Sequence, residues 1–358
     1  MNERRFTVNS GACTLEAREY IPASNAHPGS GVVLLHGLLS SADVFDVPGL
    51  ESMSFARNLQ RAGVHAMSYD QRGAGASTTD GWQFGLREHA LIDLPAVLAE
   101  CRGRLGWDRV VLAGHSLGGT IWLKYVREAG TTRARPDQPV VVGGVALASP
   151  ANFDRQHKPW SDIARRGRAF VESIDHNRDA IVTREEFVGA QVTLYWPWAS
   201  LAFRPDGVRA GLRLGASSPF WAGVMRRLPV PTLIHHKADF DNAAFQRVLQ
   251  SRTLDRGPLT LLLELVDAVL KGEEGPTEPP IDLPVLCVGS TLDRLVPLTT
   301  VEAFARRFAG ARVMATEQAY GLPSGHVGYF FKDGLREPVM ADVVSHIRRA
   351  FALDPAAP

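Results

Sequence analysis

Val110-Val111-Leu112-Ala113-Gly114-His115-Ser116-Leu117-Gly118-Gly119 runs from a wholly apolar segment into a cluster of small residues around one serine, and then into an amphipathic stretch that continues to Glu128. The apolar run reads as a strand buried on both faces. Small residues two before and two after the serine permit a sharp, strained strand-to-helix turn that lifts its Oγ clear of a sheet. The following helix aims its unsatisfied N–H groups at the same point. Ser116 is therefore the candidate nucleophile, and the alternative is a Gly-rich turn with a bystander serine. Adjacent side chains on a tight elbow diverge, which gives His115 a structural place.

Outward from this turn the chain alternates short apolar runs with longer amphipathic ones, the pattern of strands and crossover helices in a mostly parallel sheet. Strands are expected around 32–36, 66–69, 110–113, 140–147, 284–288 and 312–314, with an antiparallel edge hairpin from 6–8 and 13–20. Helices are expected at 54–61, 86–104, 117–128, 300–308 and 338–351. Between Ser149 and Pro284 the alternation stops. Residues 151–283 carry many aromatics, among them Trp160, Phe170, Trp196, Trp198 and Trp221. A structureless loop of that length is rare inside a compact domain, so a helical lid insertion is expected there, returning through the Pro-rich 272–280. The expected division is an α/β core from 1–150 and 284–358, with the lid at 151–283.

The 358 residues exceed one ordinary core and fit one large domain with an insertion. Lys and Arg number 39 against 38 Asp and Glu, a net charge of +1, which offers no long-range attraction for nucleic acid or an anionic membrane. No stretch reaches the ~18 apolar residues of a membrane span, and 1–19 lacks the apolar region of a secretory signal. A cytoplasmic location is the expectation. Cys13, Cys101 and Cys287 are odd in number and far apart, which suggests neither a disulfide framework nor a thiolate metal site.

A serine needs a base to take its proton, and the base needs a third group to fix its tautomer. Leu283 to Val288 is an apolar strand followed by Gly289-Ser290-Thr291-Leu292-Asp293, which sets Asp293 at a strand's carboxyl end, where open α/β sheets build their sites. One helix and one strand later comes Gly325-His326-Val327-Gly328. Ser116, Asp293 and His326 thus follow in the order serine, acid, histidine. A rival acid is Asp239, with Asp241 nearby, after the short apolar run Val230 to Ile234 inside the insertion. His235, His236, Asp239 and Asp241 read better as surface residues than as metal ligands, since adjacent histidines on a strand face opposite ways. Donors for a developing oxyanion are expected from the backbone N–H of Leu117 and, after the first central strand, of Leu38 in His36-Gly37-Leu38-Leu39.

These segments resemble the α/β-hydrolase superfamily over residues 28–150 and 284–352. Tyr69-Asp70-Gln71-Arg72-Gly73-Ala74-Gly75-Ala76-Ser77 is similar to that family's D-x-R-G-x-G-x-S turn, a structural feature. The segments at 52–63 and 90–97 and the Gly325-His326 corner look closest to the acid-lipase and polyhydroxyalkanoate-synthase-like branches. The synthases carry cysteine where this chain has Ser116, and dehalogenases and epoxide hydrolases carry aspartate. The resemblance thus implies a serine hydrolase of carboxylic esters or thioesters, acting on small molecules without a cofactor, and the aromatic insertion, acting as a lid, leads to the expectation of a substrate with an apolar acyl or aromatic portion. Acyl transfer by the same triad, or a non-catalytic, calcium-responsive binding role on a hydrolase scaffold, are the alternatives.

A second motif lies in the insertion. Asp175-His176-Asn177-Arg178-Asp179-Ala180-Ile181-Val182-Thr183-Arg184-Glu185-Glu186 has the spacing of an EF-hand calcium loop, with Asp175, Asn177, Asp179, the Ile181 carbonyl and Glu186 as ligands of a structural ion. Ala180 stands where the turn favours glycine, and no second hand is visible. The alternative is an Asx-rich turn that caps the helix from Thr183.

Overall fold

The computed structural model describes residues 2–129, 135–151, 160–195, 205–227, 239–271 and 279–353. The sheet has eight strands in the order β1-β2-β4-β3-β5-β6-β9-β10. β1 (Asn2–Ser10) and β2 (Cys13–Ile21) form the antiparallel hairpin at one edge, and β2 also pairs antiparallel with β4 (Ala66–Tyr69). From β4 onward all pairings are parallel, through β3 (Ser30–Leu35), β5 (Arg109–His115), β6 (Val140–Leu147), β9 (Ile281–Gly289) and β10 (Phe308–Ala315). This is the mostly parallel sheet that the apolar runs predict. β3, β4 and almost all of β5 and β6 are buried, as strands covered on both faces must be.

The helices cover the sheet near where the amphipathic stretches place them, at Phe55–Arg61, Leu117–Ala129, Leu298–Ala305 and Arg336–Ala352, although the one expected over 300–308 ends at Ala305 and Phe308 opens β10 instead. Ser54 caps the first, its hydroxyl accepting the Arg57 N–H at 3.0 Å. The stretch expected as one helix over 86–104 contains a π-turn at His89–Asp93 between two α segments. There Asp93, fully buried, accepts from Ser10 and from the Arg72 guanidinium, which pins the turn to β1 and to the loop after β4. The cysteines are buried and unpaired.

Between β6 and β9 the described residues form helices at Trp160–Glu172, Arg184–Tyr195, Pro205–Ser217, Pro219–Arg227, Asn242–Gln250 and Leu259–Lys271. A short antiparallel ribbon, β7 (Ile181–Val182) with β8 (Gly257–Pro258), joins two parts of this region and has no forewarning in the sequence. Of the residues weighed earlier, Trp196, Trp198, His235 and His236 lie outside the described ones. Among the described residues no helix is long and apolar enough to cross a membrane.

Candidate active site

β5 ends at His115, and the helix from Leu117 begins one residue later. Ser116 between them has φ of 55°, the left-handed conformation that costs a side-chain-bearing residue energy and that a sharp elbow demands. Its N–H is held by the Leu147 carbonyl at 2.9 Å, across to β6. The surrounding glycines have steric reasons. A Cβ on Gly114 would lie 2.3 Å from the Gly119 nitrogen, and one on Gly118 would lie 2.1 Å from the Leu35 carbonyl oxygen. The elbow therefore sits directly against the end of β3, where the loop His36-Gly37-Leu38 begins. Gly37 also packs closely on the elbow, since a Cβ there would be 3.2 Å from Ser116 Cβ.

That loop is fixed by His36, which is buried. Its Nε2 accepts the Gln71 N–H at 3.0 Å, so Nδ1 carries the proton and donates to the Gly37 carbonyl at 2.9 Å. Burial holds this imidazole neutral, its pKa pushed down to about 4. Beyond it the N–H groups of Leu38 and Leu117 are not engaged by any acceptor among the described residues.

Asp293 follows β9 in a loop and is buried. Its Oδ1 accepts the N–H groups of Leu295 and Val296, both at 2.9 Å, and its Oδ2 accepts Nδ1–H of His326 at 2.8 Å. The histidine's Nε2 is thereby left as the proton-accepting nitrogen. Ser290 ties the two loops together, its Oγ accepting the Ser324 N–H at 2.8 Å. The expected acid and base are thus paired. Ser116 adjoins His115, which is bonded to the His326 carbonyl, while its own hydroxyl and the His326 ring make no hydrogen bond with each other among the described residues.

Two residues take places that sequence reasoning did not give them. The His115 ring does not turn away from the site. It lies 4.7 Å from the His326 ring, centroid to centroid, and its Nε2–H donates to the His326 carbonyl at 2.9 Å. Burial, reinforced by the neighbouring His326, keeps His115 neutral, well below the usual histidine range. Asp239, the rival acid, is buried and accepts the Gly325 N–H at 3.1 Å, so it holds the backbone before His326 and not the ring. A tight approach explains Gly328 as well, where a Cβ would meet Asp239 Oδ1 at 2.6 Å.

In the loop 175–186 the carboxylates face backbone donors. Asp175 accepts the N–H groups of Asp179 at 3.2 Å and Ala180 at 2.9 Å, and Glu186 accepts those of His176 and Thr183 at 3.0 and 2.9 Å. Thr183 Oγ1 accepts the Glu186 N–H in return, a reciprocal cap on the helix that follows. Arg178 and Ala180 have φ of 59° and 64°, so the chain makes the sharp turn without glycine. Among the described residues no three His, Cys, Asp or Glu side chains group as a metal site.

Comparison with known proteins places the fold. Among solved structures, an esterase from Exiguobacterium antarcticum is similar with a TM-score of 0.59 at 16% identity, covering 96% of this chain and 100% of its own. An esterase from Rhodococcus sp. ECU1013 has a TM-score of 0.53 at 19% identity, with 97% and 99% covered. A proline iminopeptidase from Mycobacterium smegmatis has 0.53 at 16%, with 98% and 99% covered. At such identities the likeness is one of fold. The search of curated proteins found no match. The profile of the alpha/beta hydrolase fold matches residues 32–333, from the middle of β3 past the His326 loop, and with most of its length inside that match the chain belongs to the α/β-hydrolase family.

Proposed function

We propose that the protein is a serine hydrolase that cleaves a carboxylic ester or thioester through Ser116, His326 and Asp293. The observation that carries this reading is the 2.8 Å bond between Asp293 and His326 Nδ1, in the loops that face an elbow serine of left-handed backbone. In this mechanism Ser116 Oγ attacks the carbonyl carbon while its proton passes to His326 Nε2. The carbonyl oxygen, now negative, receives the N–H groups of Leu38 and Leu117. His326 returns the proton to the departing alcohol or thiol, leaving an acyl-serine, and water then repeats the sequence to release the acid. Asp293 keeps the imidazole in the tautomer with Nδ1 protonated and stabilises its positive form.

The acyl or aromatic portion is proposed to be apolar and to bind beneath the inserted helices at 151–283, acting as a lid. Two of the similar structures are esterases by name, which supports an ester substrate. Ser116 in place of a synthase cysteine supports water as the acceptor, within the acid-lipase and synthase-like branches of the family. No observation favours acyl transfer or a non-catalytic binding role. The cytoplasm is the proposed location.

A structural calcium ion in the loop 175–186 is a separate proposal. The donor set is hard oxygen, as calcium requires, and Glu186 would exchange its backbone partners for the ion. Catalysis as proposed has no step that uses it.

Labelling with a fluorophosphonate, located at Ser116 by peptide mapping, tests the nucleophile. p-Nitrophenyl esters of increasing chain length then test the acyl preference. A protein that resists the label and hydrolyses none of the series is not the enzyme proposed.

A further inference from the structure

Within the inserted region, the segment Arg252 to Asp255 runs along the loop that follows β3 and grips it at Leu39, Ser40, Ser41 and Asp43. The Leu39 carbonyl accepts the Asp255 N–H at 2.8 Å, Ser40 Oγ donates to the Thr253 carbonyl at 2.8 Å, Ser41 Oγ donates to the Arg252 carbonyl at 2.8 Å, and Asp43 Oδ2 accepts the Arg252 N–H at 3.0 Å. The same segment also reaches the turn after β4, where Asp255 accepts the Gly75 N–H at 2.6 Å.

Leu39 itself is anomalous. Its φ is 52°, a conformation a leucine keeps only where its surroundings impose it. Its side chain is 3% exposed, yet it belongs to a second hydrophobic cluster apart from the main core, with Val171, Ile174, Val182, Leu262 and Val266, all from the insertion. Contact passes along a short chain of residues. Val182 pairs with Gly257 in the β7–β8 ribbon, and a Cβ on Gly257 would come within 2.8 Å of Leu39 Cδ2. Leu39 is bonded to Leu38, whose N–H is the proposed oxyanion donor.

We infer that the insertion sets the position of the oxyanion donor, with Leu39 as the positioning residue through which it does so. The inference rests on the proposed role of the Leu38 N–H. A leucine side chain buried among insertion residues, and a carbonyl held by Asp255, together fix the backbone on the carboxyl side of Leu38 in a strained conformation. Release of either contact lets that backbone relax and turns the N–H from the carbonyl oxygen it must meet. Since that oxygen carries its charge only in the transition state, the loss falls on kcat and spares KM.

The experiment compares Leu39→Ala, Leu39→Met and Gly257→Ala with Leu212→Ala, a buried truncation elsewhere in the insertion, on one p-nitrophenyl ester. Leu39→Ala removes the anchor, Gly257→Ala pushes a methyl against it, and Leu39→Met restores an apolar side chain of similar size. Removal of an oxyanion donor costs on the order of 10²- to 10³-fold. A displaced donor is expected to cost about 10- to 100-fold in kcat for Leu39→Ala and Gly257→Ala, with KM within about twofold. The affinity of an alkyl trifluoromethyl ketone, whose serine adduct carries the oxyanion, should fall in step. Leu39→Met should recover most of both, and Leu212→Ala should lower the melting temperature without changing kcat. Wild-type kcat in both Leu39→Ala and Gly257→Ala, or an equal loss in Leu212→Ala, overturns the inference. Ser116→Ala separates the two readings. Hydrolysis surviving that change defeats the proposed function, whereas hydrolysis lost there but indifferent to Leu39 and Gly257 defeats only the role of the insertion.

Discussion

His115 Nε2 donates to the main-chain carbonyl of His326 at 2.9 Å, so the residue before the elbow serine holds the residue proposed to deprotonate it. The bond joins the end of β5 to the loop after β10, 211 residues along the chain. A neutral ring is required, because the buried Nδ1 of His115 has no partner in which to place a second proton.

Removing this donor has a defined cost. His115→Leu leaves a buried carbonyl unsatisfied, with an expected loss of about 1 to 3 kcal/mol of stability and a drop in kcat that we set at about tenfold. His115→Gln can still present an N–H at similar reach and should keep most of both. Urea unfolding and steady-state kinetics on the two variants provide the check, and equal behaviour of the two would deny the bond any role.

The two acids should separate cleanly. Asp293→Asn replaces the acceptor of Nδ1–H and favours the wrong imidazole tautomer, with an expected kcat loss of the order of 10⁴. Asp239→Asn still offers one oxygen to the Gly325 N–H and should lose less than about tenfold. Kinetics in which Asp239→Asn is the more damaging would move the acid into the insertion.

Stability should fall in mild acid. His36 and His346, the latter bonded through Nε2 to the Gly144 carbonyl, are both pushed down to about 4 by burial, against about 6.5 in an unfolded chain. Between those values the unfolded state binds the extra protons. The contribution is therefore complete above about pH 6.5 and is lost as pH falls toward 4, up to about 3 kcal/mol for each histidine. Unfolding free energies at pH 7 and pH 4.5 measure the slope, and His346→Gln should flatten it by about one proton. An unchanged slope in that variant assigns the acid sensitivity elsewhere.

Calcium, as proposed for the loop 175–186, should raise the melting temperature. A ligand bound only by the folded state adds about 2.7 kcal/mol at a hundredfold excess over Kd. Glu186→Gln should abolish the rise. A midpoint that ignores millimolar calcium in both proteins leaves the loop as the helix cap that Thr183 and Glu186 already form.

What the sequence makes legible is what short range decides. The elbow is readable because Gly114, Ser116 and Gly118 must stand within five residues of one another for the turn to close. Asp293 is readable because it follows a strand of unmistakable apolarity; His326 is readable only from its Gly325-His326 corner, since β10 before it is mostly exposed and the short helix Thr316–Tyr320 intervenes. The roles of His115, Asp239 and Leu39 depend on where distant segments come to rest, and no local pattern encodes that. Even the φ of Leu39 is hidden, since leucine is not a residue that advertises left-handed backbone. The ribbon between Ile181–Val182 and Gly257–Pro258 is equally silent, two residues on each side with no turn between them.

The Ser290–Ser324 clasp makes a closed circuit of the chain that lies between the two loops. That stretch holds two helices, Leu298–Ala305 and Thr316–Tyr320, and the edge strand β10, and the acid and the base meet at its ends whatever its contour. Closure entropy grows only logarithmically with length, about 0.6 kcal/mol for each doubling of a flexible loop. Extra residues at the turns of this circuit are therefore thermodynamically cheap, and the spacing between Asp293 and His326 is free to lengthen as long as the hydroxyl at one end still finds the amide at the other.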